Sequence, residues 1–277
     1  MKVQDKRLDE ISGMARSLHQ PEVLWVHNDS GDKPRLYAIG PDGETIGILE
    51  VTNAGARDWE DMVSFRIDEK KFLMIADVGD NGAVRNDTIL YILEEPDPAD
   101  FAQDRTQQIA ACAVIPYRYE DGPRDCEGVA VDVPNRKVYL ISKRTEPPVL
   151  YELPLTARHD DDDQPFVAKR IAPVGGIVPP TAAERAIPGR LGQYRSQVTA
   201  FDISPDNRTA AVLTYGNIYL YHREAEASWV DTLTGTPERI PVKGMPQAES
   251  LCFEAGSNTL LISTEDNKPP VLRYQLR

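Results

Sequence analysis

The chain predicts an all-β fold, a five-bladed β-propeller of four-stranded blades. Three observations carry that expectation. A short motif ending in an oxygen-bearing anchor recurs five times along the 277 residues. A tyrosine marker follows each copy in step, and the stretches between are short apolar runs bounded by turn residues.

The anchors are Ser12, Glu60, Glu127, Thr199 and Glu249. An apolar residue precedes each one, and the residue two before is acidic or amide: Glu10, Asp58, Asp125, Gln197 and Gln247. Each anchor opens a first strand. About ten residues later comes a second strand, at 23–27, 72–76, 138–142, 210–214 and 260–264. Unbroken apolar runs of this length suit strands covered on both faces. A third strand carries the marker at Tyr37, Tyr91, Tyr151, Tyr221 and Tyr274, with Pro34, Pro148 and Pro270 at strand entries, where a missing N–H is tolerated. Fourth strands are expected over 45–51, 108–117, 166–174 and 239–242.

These elements divide one domain into blades at about 10–51, 58–117, 125–174, 197–242 and 247–277. The last blade lacks a fourth strand. Residues 2–8 belong to no complete repeat and are expected to supply it, closing the ring and removing an exposed edge. The alternative is six blades, with a degenerate one inside the Pro-, Gly- and Arg-rich insert 175–196.

Composition narrows the function classes. Forty-four acidic against 31 basic residues give a net charge of −13, which repels phosphate backbones and disfavours nucleic-acid partners. No apolar run approaches the roughly 18 residues of a membrane helix. The first residues lack the apolar core of a signal peptide, so the protein is read as cytoplasmic, or as exported with its signal removed. The three scattered cysteines, Cys112, Cys126 and Cys252, form neither a disulfide framework nor a zinc site. Cys126 and Cys252 read as buried thiols.

In a propeller, first-strand starts and second-strand ends meet at one mouth of the axis. That gathers the five anchors with Asp29, Asp77, Lys143, Tyr215 and Glu265. Three glutamates aimed at one axis repel each other, and a hard cation relieves that cost. Five oxygen ligands without histidine or thiol suit Ca2+. The alternative is a wet channel whose polar anchors bond neighbouring backbone. The run His159-Asp160-Asp161-Asp162-Asp163 falls in a turn on the opposite face and reads as a solvated acidic loop. His27 reads as a packed histidine and Trp59 as core.

The order Ser12, Glu60, Glu127, Thr199, Glu249 resembles the calcium-activated nucleotidases (apyrases), five-bladed propellers with an axial calcium ion. Further similarity lies in Ser12-Gly13 with Asn28-Asp29-Ser30-Gly31, in Leu140-Ile141-Ser142-Lys143-Arg144 and in Glu249-Ser250-Leu251. Thr199 departs from the family's usual serine. Gluconolactonase-like and phytase-esterase-like propellers share the Glu-Gly blade starts, so the broader likeness is to metal-centred hydrolase propellers. The resemblance implies Ca2+ bound by the five anchors and a small phosphorylated substrate such as a nucleoside diphosphate. Asp29 or Asp77 would activate water, and Lys143, Arg144 and Arg195 would contact phosphate. A lactonase or ester hydrolase using the same metal, and a non-catalytic ring with a structural metal, are the competing expectations. Asn28-Asp29-Ser30-Gly31 and Asp77-Val78-Gly79-Asp80 are equally strong turn formers.

Overall fold

Strands form where the repeated pattern places them. The computed structural model describes residues 1–101, 106–156, 164–189, 192–245, 247–256, 258–266 and 268–276; the acidic run 159–163 lies outside them. Strand makes up 48% and helix 5%, so the protein is all-β. The first antiparallel meander is β1 (Ile11–Arg16), β2 (Leu24–Asn28), β3 (Arg35–Ile39) and β4 (Thr45–Val51). The second comprises β5 (Trp59–Ile67), β6 (Lys70–Asp77) and β7 (Thr88–Glu94), followed by β8 (Thr106–Ile109) and β9 (Ala113–Tyr119). The third is β10 (Cys126–Asp132), β11 (Lys137–Ser142), β12 (Val149–Pro154) and β13 (Phe166–Pro173). The fourth is β14 (Val198–Ile203), β15 (Thr209–Thr214), β16 (Asn217–His222) and β17 (Glu238–Pro241). The fifth is β18 (Ala248–Phe253), β19 (Thr259–Thr264) and β20 (Leu272–Gln275).

Three features differ from expectation. The single strand expected over 108–117 is two: β8 pairs in parallel with β4 of the first meander, while β9 completes the second and pairs in parallel with β13 of the third. The chain must break at 110–112 to serve both partners. The second and third meanders thereby share one eight-stranded sheet, whose end strands β5 and β10 also lie side by side. Residues 2–8 form no strand. One antiparallel bridge, Lys2 to Pro270, attaches the segment beside β20, and Gln4 N–H donates to Gly43 O in the first meander. Main-chain bonds flank that bridge, Val3 N to Pro269 O at 3.1 Å and Val271 N to Met1 O at 2.9 Å. Val3 and Leu8 are buried between those meanders, so a short pairing with packing does what a full strand was expected to do. In the insert, the described residues hold a short helix, α1 (Ala182–Arg185), with a Thr181 capping box, and no strand. A second helix, α2 (Trp229–Leu233), buries Trp229.

The first strands form a closed cycle: β1 lies against β5, β5 against β10, β10 against β14, β14 against β18, and β18 against β1. A separate apolar cluster fills each gap between neighbouring meanders. Trp25, Trp59 and Tyr91 join the first and second; Met74, Tyr117 and Tyr151 join the second and third. Phe201 and Trp229 serve the third and fourth, Phe253 and Leu213 the fourth and fifth, and Ile11 and Cys252 the fifth and first. Sheets packed on both faces explain why the second strands are apolar throughout. The expected tyrosine marker holds one register position in three meanders, at Tyr37, Tyr91 and Tyr151. In the fourth and fifth that position falls on Tyr219 and Leu272, with Tyr221 and Tyr274 two residues further along. The Tyr91, Tyr151 and Tyr221 hydroxyls bond Gly55 N, Asp121 and Gly175 O, each in the connection entering that tyrosine's own meander.

Buried acids tie the cycle together. Asp61 Oδ2 accepts from Val129 N at 2.8 Å and Phe201 N at 3.1 Å, linking β5 to β10 and β14. Asp202 accepts from Phe253 N at 2.8 Å, linking β14 to β18. Burial pushes the Asp202 carboxyl up to about 7, against the lowering effect of the Phe253 and Ile203 backbone donors. An unfolded Asp ionises near 4, so between pH ~4 and ~7 the folded state binds more protons and stability falls as pH rises. Asp202→Asn is expected to remove about 2 kcal/mol of the stability difference between pH 5 and pH 7.5, measured by urea unfolding. An unchanged difference would reject a titrating Asp202.

Candidate metal centre

All five anchors occupy the second position of their strands: Ser12 in β1, Glu60 in β5, Glu127 in β10, Thr199 in β14 and Glu249 in β18. In every case the pairing with the second strand shifts register across the anchor, between Ile11 and Gly13, Trp59 and Met62, Cys126 and Gly128, Val198 and Ala200, and Ala248 and Ser250. A bulge re-aims the side chain it carries, freeing a polar residue from the apolar alternation of its strand. The repeated motif is therefore a repeated bulge. All five anchors are buried.

The two hydroxyl anchors bond the neighbouring strand's backbone. Ser12 Oγ lies 2.9 Å from Glu60 O, and Thr199 Oγ1 donates to Ala248 O at 2.8 Å. The three glutamates instead line a cavity of about 740 Å³ with Asp29, Lys143, Arg144, Tyr215 and Glu265. From the insert, Ile187 and Tyr194 complete its rim.

Around Glu60 the negative charge is dense. Carboxylate oxygens of Asp29, Asp58 and Glu60 lie within 4.8 Å of one another, as do those of Glu60, Asp125 and Glu127. Glu60 Oε2 is 3.1 Å from Ser12 Oγ, but that hydroxyl has one proton and a closer acceptor in Glu60 O. Burial, then Glu127, Asp29 and Asp58, push the Glu60 carboxyl well above the usual range, with Lys143 opposing. Burial raises Glu127 likewise; Lys143 opposes, and Glu249 and Asp125 add to the rise. Asp58 is pushed up to about 6 by burial and by Asp29 and Asp125.

The candidate residues separate into those the mouth gathers and those it does not. Asp29 faces the cavity. Asp77 lies outside it, 2.9 Å from the buried Arg85 guanidinium and accepting from Arg57 N and Asp58 N. It braces the entry to β5. Lys143 is buried in contact with Glu127, its ammonium 5.4 Å from the Tyr215 ring centroid. The Tyr215 hydroxyl donates to Glu249 at 2.8 Å. Arg144 Nε donates to Asp125 at 2.5 Å and reaches Asn81. Arg195 pairs with Glu184 and does not line the cavity. His27 is packed edge-on against Trp59 at 5.3 Å, and burial lowers its pKa. Cys126 and Cys252 are buried free thiols.

Asp58 and Asp125 are site residues without an assigned role in the sequence reading. Their signal was the acid or amide two positions before each anchor; Gln197 and Gln247, at the same position, line the cavity, whereas Asp58 and Asp125 stand against Glu60. These residues form a second polar tier beside the anchors.

The residues present fit a hard cation. The acidic clusters offer only oxygen donors, the donor type of a hard cation, with Lys143 on Glu127 and Arg144 on Asp125 as neighbouring charges. Gly79 closes one side: a Cβ there would lie 2.3 Å from Glu60 Oε1 and 2.5 Å from Asp58 Oδ2. Backbone at that place lets the two carboxylates converge. Neither a protein-family model nor a curated protein matches the chain.

Proposed function

We propose that the chain is a five-bladed β-propeller holding a hard divalent cation, Ca2+ before others, at one mouth of its axis. We further propose that it acts there as a metal-dependent hydrolase on a small phosphorylated molecule such as a nucleoside diphosphate. The cycle of five first strands supports the blade count. One observation carries the metal: buried Glu60, with a single shared hydroxyl as hydrogen-bond donor, stands among Asp29, Asp58, Asp125 and Glu127. Glu60, Asp125 and Glu127, with Asp58 beside them, would hold the cation. Bound there, it would polarise a phosphoryl oxygen. Asp29, half-buried at the rim with one oxygen taken by Ser30 N, is the carboxylate placed to accept a proton from water. Arg144, which lines the cavity with a more exposed side chain than Lys143, is the basic residue an anionic substrate would meet.

The test is a melting curve with Ca2+ and with chelator, paired with a phosphate-release assay on nucleoside diphosphates. Ca2+ at 100 times its Kd contributes about 2.7 kcal/mol, a shift of roughly 5–10 °C. No shift and no bound metal would reject the site. A shift without turnover would reject the nucleotidase. One observation favours a second reading, a lactonase-like hydrolase or a binding ring with a structural metal. Lys143 and Arg144 are both engaged by carboxylates, Glu127 and Asp125, rather than held open for phosphate.

A further inference from the structure

The cycle of first strands has a second mouth, where those strands end. There β1, β5, β10, β14 and β18 enclose a cavity of about 550 Å³, within the size range of small-molecule sites. Its chemistry is unlike that of the acidic mouth. Phe65, Val131, Val133 and Phe253 supply apolar wall, and Arg16 and Arg66 supply positive charge. Arg16, the last residue of β1, is half-buried, and its side chain makes no hydrogen bond or ion pair among the described residues. Arg66 is exposed and likewise unpaired. Asp202 is the one acid lining this cavity; its carboxylate is hydrogen-bonded by the backbone N–H groups of Ile203 and Phe253, and the Arg16 charge acts on it from a distance without forming an ion pair.

A half-buried guanidinium at an apolar wall, with no hydrogen-bonded or ion-paired acceptor, is poised to take one from a ligand. In a chain of net charge −13, acceptors are not scarce. The protein pairs Arg7, Arg35, Arg85, Arg124 and Arg144 with nearby carboxylates, yet leaves Arg16 open at the wall of an apolar cavity. We infer that this second mouth binds a small organic carboxylate, with its apolar body against Phe65, Val131 and Phe253 and its carboxylate on Arg16. The planar guanidinium fork matches a carboxylate's two oxygens, and the apolar walls strengthen that charge-assisted bond by excluding water. Arg66 adds long-range attraction at the rim. The site is independent of any metal at the other mouth.

The probe is 8-anilinonaphthalene-1-sulfonate, an aromatic monoanion whose fluorescence rises in apolar surroundings. Titration well below the melting temperature is expected to show saturable binding, unaffected by chelator. Arg16→Gln is expected to weaken it at least about tenfold and Arg66→Gln by less, while the uncharged N-phenyl-1-naphthylamine binds wild type and Arg16→Gln alike. Decanoate is expected to displace the probe and decanol not to. If Arg16→Gln melts early, the decanoate–decanol comparison on wild type and the Arg66→Gln titration decide the matter. Absence of native-state binding, equal affinity in the arginine variants, or equal displacement by decanol would overturn the inference.

Discussion

Glu60→Gln is expected to raise the melting temperature of the metal-free protein while abolishing its response to Ca2+. The substitution keeps the shape of the side chain and its oxygen toward Ser12, so little packing is lost. What it removes is a buried charge facing Asp29, Asp58 and Glu127. The folded-state pKa of Glu60 is raised by burial and by Glu127, Asp29 and Asp58, so ionising it at neutral pH opposes folding, and the neutral amide escapes that opposition. With Ca2+ present the sign reverses, because the variant lacks the central ligand while wild type gains binding energy. Melting curves of both proteins, with Ca2+ and with chelator, test all four states. A lower melting temperature without metal, or a retained Ca2+ shift, would show that Glu60 is a structural acid.

Lys143→Met is expected to have the largest effect on the metal-free fold. The ammonium is buried in contact with Glu127, and Glu249 and Glu60 add to the field that holds it protonated. Removing one partner of a buried pair typically costs about 3–5 kcal/mol, because the remaining charge stays without compensation. That cost falls as pH drops and the glutamates take up protons, so the variant's deficit should be larger at pH 8 than at pH 5. Ca2+ should recover a greater part of the deficit than it adds to wild type, since cation and ammonium neutralise the same carboxylates. A deficit independent of pH and of Ca2+ would mean that Lys143 contributes through packing alone.

Much of the scaffold was legible because it is written five times. The anchors and apolar second strands lie at matching positions, as do Tyr37, Tyr91 and Tyr151, and repetition lifts a short motif above chance. Tyr221 and Tyr274 stand two residues past the matching places, which Tyr219 and Leu272 hold. Interactions between distant residues were not legible. The split at 110–112 answers to β4 and β13, partners that local alternation does not reveal. Asp77 ends an apolar strand beside a turn much as Asp29 does, yet Arg85, within the following loop, claims it. Lys143 resembled an open cation, but its environment comes from Glu127 and Glu249 on other strands and from Tyr215 in the turn after β15. The weight of Asp58 and Asp125 depends on side-chain convergence at Glu60, which spacing can suggest but not measure.

The five register shifts have a consequence for how such a molecule can change. Because each anchor sits on a bulge, its direction is set by main-chain pairing and not by the side chain's own packing. The chain already carries serine, threonine and glutamate at equivalent places without altering the strands that follow. Architecture and chemistry are in this sense separable. Exchanging residues at five positions could retune the charge gathered there in small steps, leaving intact the apolar seams between the meanders.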